Sequence, residues 1–573
     1  MKILKFLIKL LWSIIKFLFK EIASFIIKGA LLLVIIGVII AVSIKEPKEN
    51  KKVAKPGSYI KIDMSQKYSE PVEYLPKFLM GEKGNFYGLI KKLNIIKEDK
   101  NISGIFLKLD NLTLSNGQIE ELEKKLEELK KSGKNIIAYA ENLDNKNYSL
   151  ALSGNKIAMP FTHAAGINIT GYYTELGYYK GLADKIGVDF NVIHVGDYKA
   201  FGENYVRKSM SQEYRENITQ LKDQVYENFV NRVARYRKLP FNRLNRDILE
   251  GKFVNGDIEE IYKYGLIDEL IDESSLIAKI GKDKVITLEE YDINVKEKVQ
   301  DKIAILYVDG EIYADGGDAN EIISGVTPGK MEAQLNQAIS DKSIKGIVLR
   351  INSPGGSALA SNIINRKINE IKGEKPVYVS IGGVAASGGY YIAAAGDRIF
   401  ADKESITGSI GVVSIIPNVK KLLEKADVNM EVIKKGKYSD LYSLTNEFTA
   451  DDRKKIYDSS LKVYDEFLGV VAKSRGKSTE YINSIGQGKV WLGEQGKDLG
   501  LVDEIGGLED TVKALAQSID IEEYGVVEIV DRPKISTVFK SNMPFIKSLY
   551  KIENLMNNRN LYFRPLYYFP YEI

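Results

Sequence analysis

Hydrophobic and polar positions divide this chain into a short first part and a much longer second part. Up to about residue 45 the apolar residues form nearly continuous runs, whereas beyond a charged linker they form short β-branched runs that alternate with stretches of helical periodicity. Residues 347–351 and 377–381 are two of these runs, and residues 118–131 and 358–371 are two of the helical stretches. Strands that alternate with helices are typical of α/β units with a largely parallel sheet.

The first part of the chain has the pattern of a membrane anchor. Residues 1–21 carry lysines at helical spacing on an otherwise apolar stretch, which predicts a basic amphipathic interfacial helix. Residues 22–45 are almost entirely apolar and are long enough for a transmembrane helix, which needs roughly 20 residues. Residues 46–57 are charged and contain two prolines, and we interpret them as a linker to a soluble part.

A cleaved signal peptide is the alternative interpretation of this first part, because Ala41-Val-Ser43 offers small residues at a suitable spacing. The segment before it is too long and too hydrophobic for the n-region of a signal peptide, which favours the anchor. Lysines flank the apolar span on both sides, so the positive-inside rule gives no orientation.

Beyond the linker the sequence repeats itself. Residues 103–110 match residues 345–352, and residues 153–159 match residues 395–401, in both cases 242 positions later. Later matches are 188–193 with 428–433, 225–229 with 463–467, and 265–269 with 500–504. Their separations are 240, 238 and 235 positions, a drift that short loop deletions would cause. The matches predict two α/β domains in tandem, each a copy of the other.

These matches set the expected domain boundaries. We predict a first repeat over residues 58–285 and a second repeat over residues 300–531, followed by an aromatic-rich tail over residues 532–573. The tail carries several tyrosines and phenylalanines, which suit a membrane surface or a neighbouring subunit; a disordered end is the alternative.

The two repeats differ where chemistry would occur. When the two repeats are aligned, Ser387 of the second repeat corresponds to Asn145 of the first, and the turn Pro354-Gly-Gly356 corresponds to Leu112-Thr-Leu114. Conversely, Lys199 of the first repeat corresponds to Ser439 of the second. A fold that divides one active site between its two copies would show these complementary losses.

Composition narrows the chemistry further. The chain has no cysteine, which excludes disulfides, thiolate nucleophiles and cysteine-ligated zinc, and we predict no cofactor or metal. Its net charge is only +4, with acids and bases interleaved, so nucleic acid is not an expected partner. Only two histidines occur: His194 lies in an alternating run typical of a strand, and His163 is as well explained by a structural role. A catalytic base is therefore expected to be another residue type, and Lys199 can serve if burial lowers its pKa.

Two glycine-containing motifs supply the candidate nucleophile and its surroundings. Asn352-Ser-Pro-Gly-Gly-Ser357 follows a predicted strand, and its glycines let backbone N–H groups point at a ligand; a plain strand-to-helix turn is the alternative. Ala385-Ala-Ser-Gly-Gly-Tyr390 follows the next strand and runs into a helical stretch. Ser387 would then lie at a helix N-terminus, which stabilises an oxyanion, unless it is merely an N-cap.

These motifs, together with Ile406-Thr-Gly-Ser-Ile-Gly411 and Gly196-Asp-Tyr-Lys199, identify a resemblance to a known family. The chain resembles the signal peptide peptidase A (SppA) family in its long, duplicated, membrane-anchored form, over nearly all of residues 57–530. The resemblance implies tandem crotonase-like (Clp protease-like) domains and a Ser/Lys dyad, with Ser387 as nucleophile and Lys199 as general base.

The resemblance implies further roles and partners. Ser409 would hydrogen-bond the lysine, and backbone N–H groups of Gly355 or Gly356 and of Gly388 would form the oxyanion hole. The implied substrates are remnant signal peptides and other hydrophobic membrane peptides. The implied assembly is a homotetramer whose bowl faces the membrane. The protein would be single-pass in the cytoplasmic (inner) membrane, with an extracytoplasmic catalytic part. The family usually has Glu-Pro shortly after its lysine, which this chain lacks.

Two other functions stay open at the level of sequence. A crotonase-type acyl-CoA enzyme would use the same oxyanion glycines without a nucleophilic serine, so a serine-directed acylating probe would leave it unlabelled. A non-catalytic membrane scaffold is the third possibility, although the retention of both dyad residues in complementary repeats argues against it.

Overall fold

The structure is a computed structural model that describes residues 51–71, 85–292, 299–315, 325–530 and, for the backbone, 566–568. The predicted interfacial helix and transmembrane helix, and residues 46–50 of the linker, lie outside these residues, as does the aromatic-rich tail apart from one short strand. Within the described ranges, no helix combines the length and the apolar character needed to cross a bilayer.

The first repeat alternates strands with helices, as its sequence pattern predicts. Its strands are β1 (Ser58–Asp63), β2 (Ile102–Lys108), β3 (Asn135–Tyr139), β4 (Asn142–Asp144), β5 (Lys156–Met159), β6 (Gly166–Asn168), β7 (Asp189–Val195), β8 (Glu269–Leu270) and β9 (Val285–Thr287). Its helices are α1 (Phe86–Glu98), α2 (Asn116–Lys131), α3 (Asn145–Ala151), α4 (Lys180–Ile186), α5 (Glu203–Val206), α6 (Gln212–Arg237), α7 (Phe241–Leu249), α8 (Ile258–Tyr264) and α9 (Glu273–Ile280).

The second repeat follows the same plan. Its strands are β10 (Lys302–Asp309), β11 (Ile344–Ser353), β12 (Gly355–Ser357), β13 (Val377–Ala386), β14 (Arg398–Ala401), β15 (Ile406–Gly408), β16 (Val412–Asn418), β17 (Val490–Leu492), β18 (Glu504–Ile505) and β19 (Gly525–Ile529), with β20 (Leu566–Tyr568) from the tail. Its helices are α10 (Pro328–Ser340), α11 (Ala358–Ile371), α12 (Gly388–Ala393), α13 (Lys420–Lys425), α14 (Ala450–Arg475), α15 (Thr479–Ile485), α16 (Gly493–Asp498) and α17 (Leu508–Ser518).

The sheets confirm the duplication. In the first repeat, six parallel strands are ordered β8-β5-β3-β2-β1-β9. The corresponding strands of the second repeat follow the same order, β18-β14-β13-β11-β10-β19. The central strands are buried on both faces, which explains their continuous apolar runs. Helices such as α2 cover them, with Leu122, Leu126 and Leu129 buried one helical turn apart.

A separate four-stranded sheet, ordered β12-β20-β16-β7, joins the two repeats. Strand β7 of the first repeat pairs antiparallel with β16 of the second over seven residues, from Val195↔Val412 to Asp189↔Asn418. Val195 thereby becomes part of the hydrophobic core of the second repeat. Because β7 leads directly into the loop that carries Lys199, this pairing fixes where that loop meets the second repeat.

A buried ion cluster forms a second link between the repeats. Arg350 of β11 is fully buried, and its guanidinium binds Glu70 of the first repeat through two nitrogen–oxygen contacts of 2.9 and 3.0 Å. Glu121 of α2 accepts a further bond of 2.5 Å from the same guanidinium, and Ser380 of β13 accepts one of 2.9 Å. Removing one partner of such a buried pair typically costs about 3–5 kcal/mol, so the contact strongly constrains how the repeats dock.

Candidate active site

Ser387 lies where β13 ends and α12 begins, at the helix N-terminus that the sequence predicts. Its backbone has φ 55° and ψ −115°, a conformation that non-glycine residues rarely adopt. Its N–H donates to the carbonyl of Gly408 at 2.8 Å, which holds the sharp turn. The side chain makes no capping hydrogen bond, so Ser387 does not act as an ordinary N-cap, and it is fully buried.

Lys199 reaches the same point from the first repeat. Its amine Nζ is 2.7 Å from the Oγ of Ser387, 2.9 Å from the carbonyl oxygen of Ser409 and 3.0 Å from the Oγ of Ser409. Only 2% of Lys199 is exposed to solvent, and this burial lowers the pKa of its amine well below the ordinary value for lysine. The structure therefore brings together Ser387, Lys199 and Ser409, the three side chains that the sequence analysis singled out.

Two glycines make room for the lysine stem. Gly488 has φ +81°, and a Cβ added there would lie only 2.5 Å from the backbone nitrogen of Lys199. A Cβ at Gly411, within the Ile406–Gly411 motif, would lie 3.0 Å from the Cδ of the same lysine. Lys199 can therefore lie in this position only because both neighbours lack side chains.

The segment around Gly488 also ties the lysine loop to Ser409. Tyr198 donates its N–H to the carbonyl of Gln487 at 2.8 Å, and Ser409 donates its N–H to the carbonyl of Lys489 at 2.8 Å. Helix α6 holds the end of this segment, because the amide of Asn217 bonds both the N–H of Val490 at 2.9 Å and its carbonyl at 3.0 Å. Asn217 is buried, as this bridging role requires.

Sequence reasoning missed Gly488 and Asn217. A signal for Gly488 exists, because Gly251 occupies the matching place in the first repeat, Gly-Lys followed by apolar residues, and also has positive φ. Asn217 offers no comparable signal, since it is one of many polar residues on a long helix.

The Pro-Gly-Gly turn lies beside Ser387. Gly355 and Gly356 have φ +106° and +152°, and a Cβ at Gly356 would lie 2.1 Å from a backbone oxygen, so no other residue fits this turn. A Cβ at Gly388 would lie 3.2 Å from the Cα of Gly355 and 3.3 Å from the backbone nitrogen of Gly356. The backbone of these three glycines thus converges next to the serine; the N–H of Gly355 donates to the Oγ of Ser353 at 3.2 Å.

An extended backbone segment occupies the groove next to this turn. Strand β20 pairs antiparallel with β12, with Gly355 opposite Tyr568, Gly356 opposite Tyr567 and Ser357 opposite Leu566. It also pairs with β16 at Val413. The space between β12 and β16 therefore accommodates one strand of peptide.

In the part of the chain that the structure describes, neither histidine is a hydrogen-bond partner of Ser387 or Lys199. His194 lies on β7 opposite Val413, in the strand that its alternating pattern predicts. His163 is exposed, with Nδ1 3.7 Å from an oxygen of Asp257. Among the residues that the structure describes, no group of three or more His, Cys, Asp or Glu side chains is placed to hold a metal ion.

Comparisons with known proteins identify peptidases as relatives of this chain. The family model described as Peptidase family S49 matches residues 128–287 and 369–522, one stretch in each repeat, and the Clp protease model matches residues 295–405. Protease 4 of Salmonella typhi is 30% identical over 536 residues, which cover 90% of this chain and 82% of that protein. The chloroplastic serine protease SPPA of Arabidopsis thaliana is 30% identical over 77% of this chain and 66% of its own length. Protease 4 of Haemophilus influenzae is 31% identical over 70% and 67%, respectively.

Proposed function

Because this chain belongs to peptidase family S49 and is a serine peptidase with a duplicated, Clp protease-like α/β fold, we propose that Ser387 and Lys199 form its catalytic dyad. The observation that carries the proposal is the 2.7 Å distance between the lysine amine and the serine hydroxyl oxygen. A general base must lie within hydrogen-bond reach of the proton that it removes, and this distance meets the requirement.

The surroundings of Lys199 favour a neutral amine. A neutral amine has two N–H groups and one lone pair, and the two N–H groups can donate to the carbonyl oxygen and the Oγ of Ser409. The lone pair then accepts the hydroxyl proton of Ser387. Desolvation is the cause of the lowered pKa, because burial penalises the charged form.

In the proposed mechanism, Lys199 takes the proton of Ser387 as the serine oxygen attacks a peptide carbonyl. Backbone N–H groups of Gly388 and of Gly355 or Gly356 stabilise the oxyanion, and the protonated lysine gives its proton to the departing amine. Water, activated by the same lysine, then hydrolyses the acyl-enzyme and regenerates the free serine. Ser409 acts through the lysine, as a residue that positions the amine.

The substrate would bind as an added strand. A peptide lying between β12 and β16, where the backbone of β20 runs, would satisfy main-chain hydrogen bonds on both sides and present a carbonyl to Ser387. Recognition through main-chain groups suits substrates of varied sequence, such as remnant signal peptides and other hydrophobic membrane peptides. We propose these as the substrate class.

The proposed setting is the cytoplasmic membrane. Residues 22–45 would form a single transmembrane helix, and the residues from 58 onward would lie on the extracytoplasmic side as a homotetramer. The resemblance to the SppA family supports these expectations. Membership in a serine peptidase family, in turn, removes the reason to consider an acyl-CoA enzyme or a non-catalytic scaffold.

The dyad can be tested with two variants and a matched control. We expect Ser387→Ala and Lys199→Ala to lower the hydrolysis of a hydrophobic peptide by roughly 10³-fold or more, because each removes a reacting group. A serine-directed acylating probe should label the wild type at Ser387 and leave the Ser387→Ala variant unlabelled. Asn145→Ala, at the matching place in the first repeat, should keep its activity. A Ser387→Ala protein that cleaves at the normal rate would refute the proposal.

A further inference from the structure

A tyrosine of helix α14 is bonded to the segment that contacts the lysine loop. Tyr464 is 3% exposed, and its ring belongs to the hydrophobic core of the second repeat. Its hydroxyl donates to the Oδ1 of Asn483 on α15 at 2.7 Å and accepts the N–H of Gln487 at 3.2 Å. The side-chain amide of Gln487 also donates to the Oδ1 of Asn483, at 2.5 Å. The hydroxyl therefore ties the backbone of Gln487 to two helices of the second repeat.

Gln487 connects this tyrosine to the lysine loop. Its N–H donates to the hydroxyl of Tyr464, and its carbonyl accepts the N–H of Tyr198 at 2.8 Å. The next residue, Gly488, packs against the backbone of Lys199. Two successive hydrogen bonds therefore link the hydroxyl on α14 to the residue that precedes the proposed base.

The backbone of Gln487 is strained. Its φ is +55°, in the left-handed region that residues other than glycine seldom adopt. Such a conformation persists only where the surrounding structure enforces it. At Gln487 both backbone polar groups are held by hydrogen bonds, the N–H by Tyr464 and the carbonyl by Tyr198. The direction of that carbonyl, and with it the position of the lysine loop, depends on this strained turn.

The first repeat contains the same pair of tyrosine and asparagine. Tyr226 of α6 lies 238 positions before Tyr464, and Asn245 of α7 lies 238 positions before Asn483. The hydroxyl of Tyr226 donates to the Oδ1 of Asn245 at 2.7 Å, the same distance as in the second repeat. The bond between tyrosine and asparagine is thus a shared feature of the duplicated scaffold.

The turn that follows this pair differs between the repeats. The asparagine and the glycine after it stand at positions 245 and 251 in the first repeat but at 483 and 488 in the second, which is one residue shorter. In the first repeat Glu250 precedes the glycine, has an ordinary helical φ of −77°, and donates its N–H to the carbonyl of Arg246 at 2.9 Å. In the second repeat the corresponding N–H, that of Gln487, has left the helix and meets the tyrosine hydroxyl.

We propose that Tyr464 is a positioning residue for the peptidase reaction, because its hydroxyl holds the turn at Gln487 and this turn holds the amine of Lys199 in its buried position. The inference rests on the proposed dyad and identifies a support for it outside the reacting groups. The hydroxyl acts through the backbone of the lysine loop, since its hydrogen-bond partners are Asn483 and Gln487.

Loss of the hydroxyl would let the turn relax toward the helical backbone seen at Glu250. Gly488 would then shift against Lys199, and the amine would lose part of its fixed position. A less buried amine is easier to protonate, so the pKa of Lys199 would move up toward the ordinary value of lysine. Hydrolysis would slow because the base is misplaced and because more of it is charged at neutral pH.

Tyr464→Phe tests this directly, because it removes the hydroxyl and keeps the ring that packs in the core. We expect kcat/KM for a hydrophobic peptide at pH 7 to fall by roughly tenfold. We also expect kcat/KM to level off at a higher pH than in the wild type. The pH profile of Ser387 labelling by an acylating probe should shift in the same direction. A role in stability alone would shift neither profile.

Tyr226→Phe is the matched control, since it removes the corresponding hydroxyl from the first repeat. It should keep the wild-type rate and pH profile, and urea titration of both variants shows that each is folded. An unshifted pH profile in Tyr464→Phe, or an equal loss of rate in Tyr226→Phe, would overturn the inference.

A further pair of variants tests whether the hydroxyl acts through the turn. Glycine adopts a positive φ without strain, so Gln487→Gly should form the turn without help from Tyr464. We therefore expect Tyr464→Phe to reduce the rate less in the Gln487→Gly background than in the wild type. Losses of equal size in the two backgrounds would contradict the proposed route from the hydroxyl to the lysine.

The same experiments separate this inference from the proposed dyad. If Lys199→Ala keeps full activity, the dyad itself is wrong. If Lys199→Ala is inactive while Tyr464→Phe has the wild-type pH profile, the dyad stands and the role of Tyr464 is refuted.

Discussion

Helices α3 and α12 occupy the same place in the two repeats but begin in opposite ways. In α3, Asp144 accepts the N–H groups of Lys146 and Asn147, both at 2.9 Å, and the side chain of Asn147 bonds back to Asp144 at 2.7 Å. In α12, Ser387 makes no capping bond and has a strained backbone. An N-cap typically contributes about 1 kcal/mol, and a strained residue costs about 1–3 kcal/mol.

The rest of the two helices is closely similar. Tyr148 of α3 and Tyr390 of α12 are both fully buried, and each donates its hydroxyl to a backbone carbonyl, of Leu266 and Leu501 respectively, at 2.8 Å. The scaffold is thus conserved between the copies, and the difference is confined to the first turn. The second repeat therefore gives up local stability at its proposed nucleophile, whereas the first repeat has a relaxed helix start.

The largest effect is expected from a change at Lys199, the base that the first repeat is proposed to contribute. Lys199→Arg keeps a long basic side chain, but a guanidinium stays charged at all accessible pH values and cannot accept the serine proton. We expect peptide hydrolysis to fall by roughly 10³-fold. Lys435→Arg, at an exposed lysine of the second repeat, should have no effect. Wild-type activity in Lys199→Arg, measured on protein with an unchanged circular dichroism spectrum, would show that the base lies elsewhere.

A smaller effect is expected from a pair of matched glycines. In Gly488→Ala the new Cβ would collide with the backbone of Lys199 and displace the amine, and a displacement of about 1 Å can cost about 10²-fold in rate. Gly251→Ala, at the matching place in the first repeat, carries the same backbone strain, but its Cβ would lie 3.9 Å from the nearest side chain and far from any proposed chemistry. Equal losses of kcat in the two variants would mean that strain alone, and not the lysine, explains the result.

The mildest test is the pH dependence that the buried lysine predicts. Because the pKa of Lys199 lies well below its ordinary value of 10.5, kcat/KM should rise about tenfold per pH unit up to the lowered pKa and then level off before pH 10.5.

The amine of Lys199 also makes the free energy of unfolding depend on pH. Between the lowered pKa and 10.5 the unfolded chain binds a proton that the folded chain does not, so the free energy of unfolding should increase with pH, by up to about 1.4 kcal/mol per unit. The free energy of unfolding, measured by urea titration at several pH values, should increase with pH more steeply in the wild type than in Lys199→Met, by this slope. Parallel pH profiles would indicate that Lys199 is charged in the folded protein.

Much of this arrangement could be predicted from local sequence. The alternation of strands and helices and the internal repeat predict the two matching sheets, and the helix predicted over residues 358–371 coincides with α11. The glycine motifs predict the turn at Gly355 and the helix start at Ser387, because their backbone requirements are local. His194 lies in strand β7, as its alternating pattern predicts, and its neighbours Ile193 and Val195 are buried.

Apart from the contact of Lys199 with Ser387, features that depend on docking between the repeats could not be predicted. The sheet that combines β7 with β12 and β16 joins segments more than 150 residues apart, and no local pattern specifies that partner. Arg350 carries no sign in the sequence that its carboxylate partners lie in the first repeat. The role of Asn217 depends on its hydrogen bonds to Val490, and these form only when α6 has docked against the second repeat.

The division of the dyad between repeats also has a consequence for the timing of activity. Under the proposed mechanism, a nascent chain of which only the first half has been synthesised contains the base Lys199 but lacks the nucleophile Ser387. The second half supplies Ser387, Ser409 and the segment around Gly488, all of which are translated later. Peptidase activity therefore requires that most of the second repeat has been synthesised. A polypeptide that ends before these residues then lacks the proposed nucleophile and is inert, so incomplete copies cause no stray proteolysis.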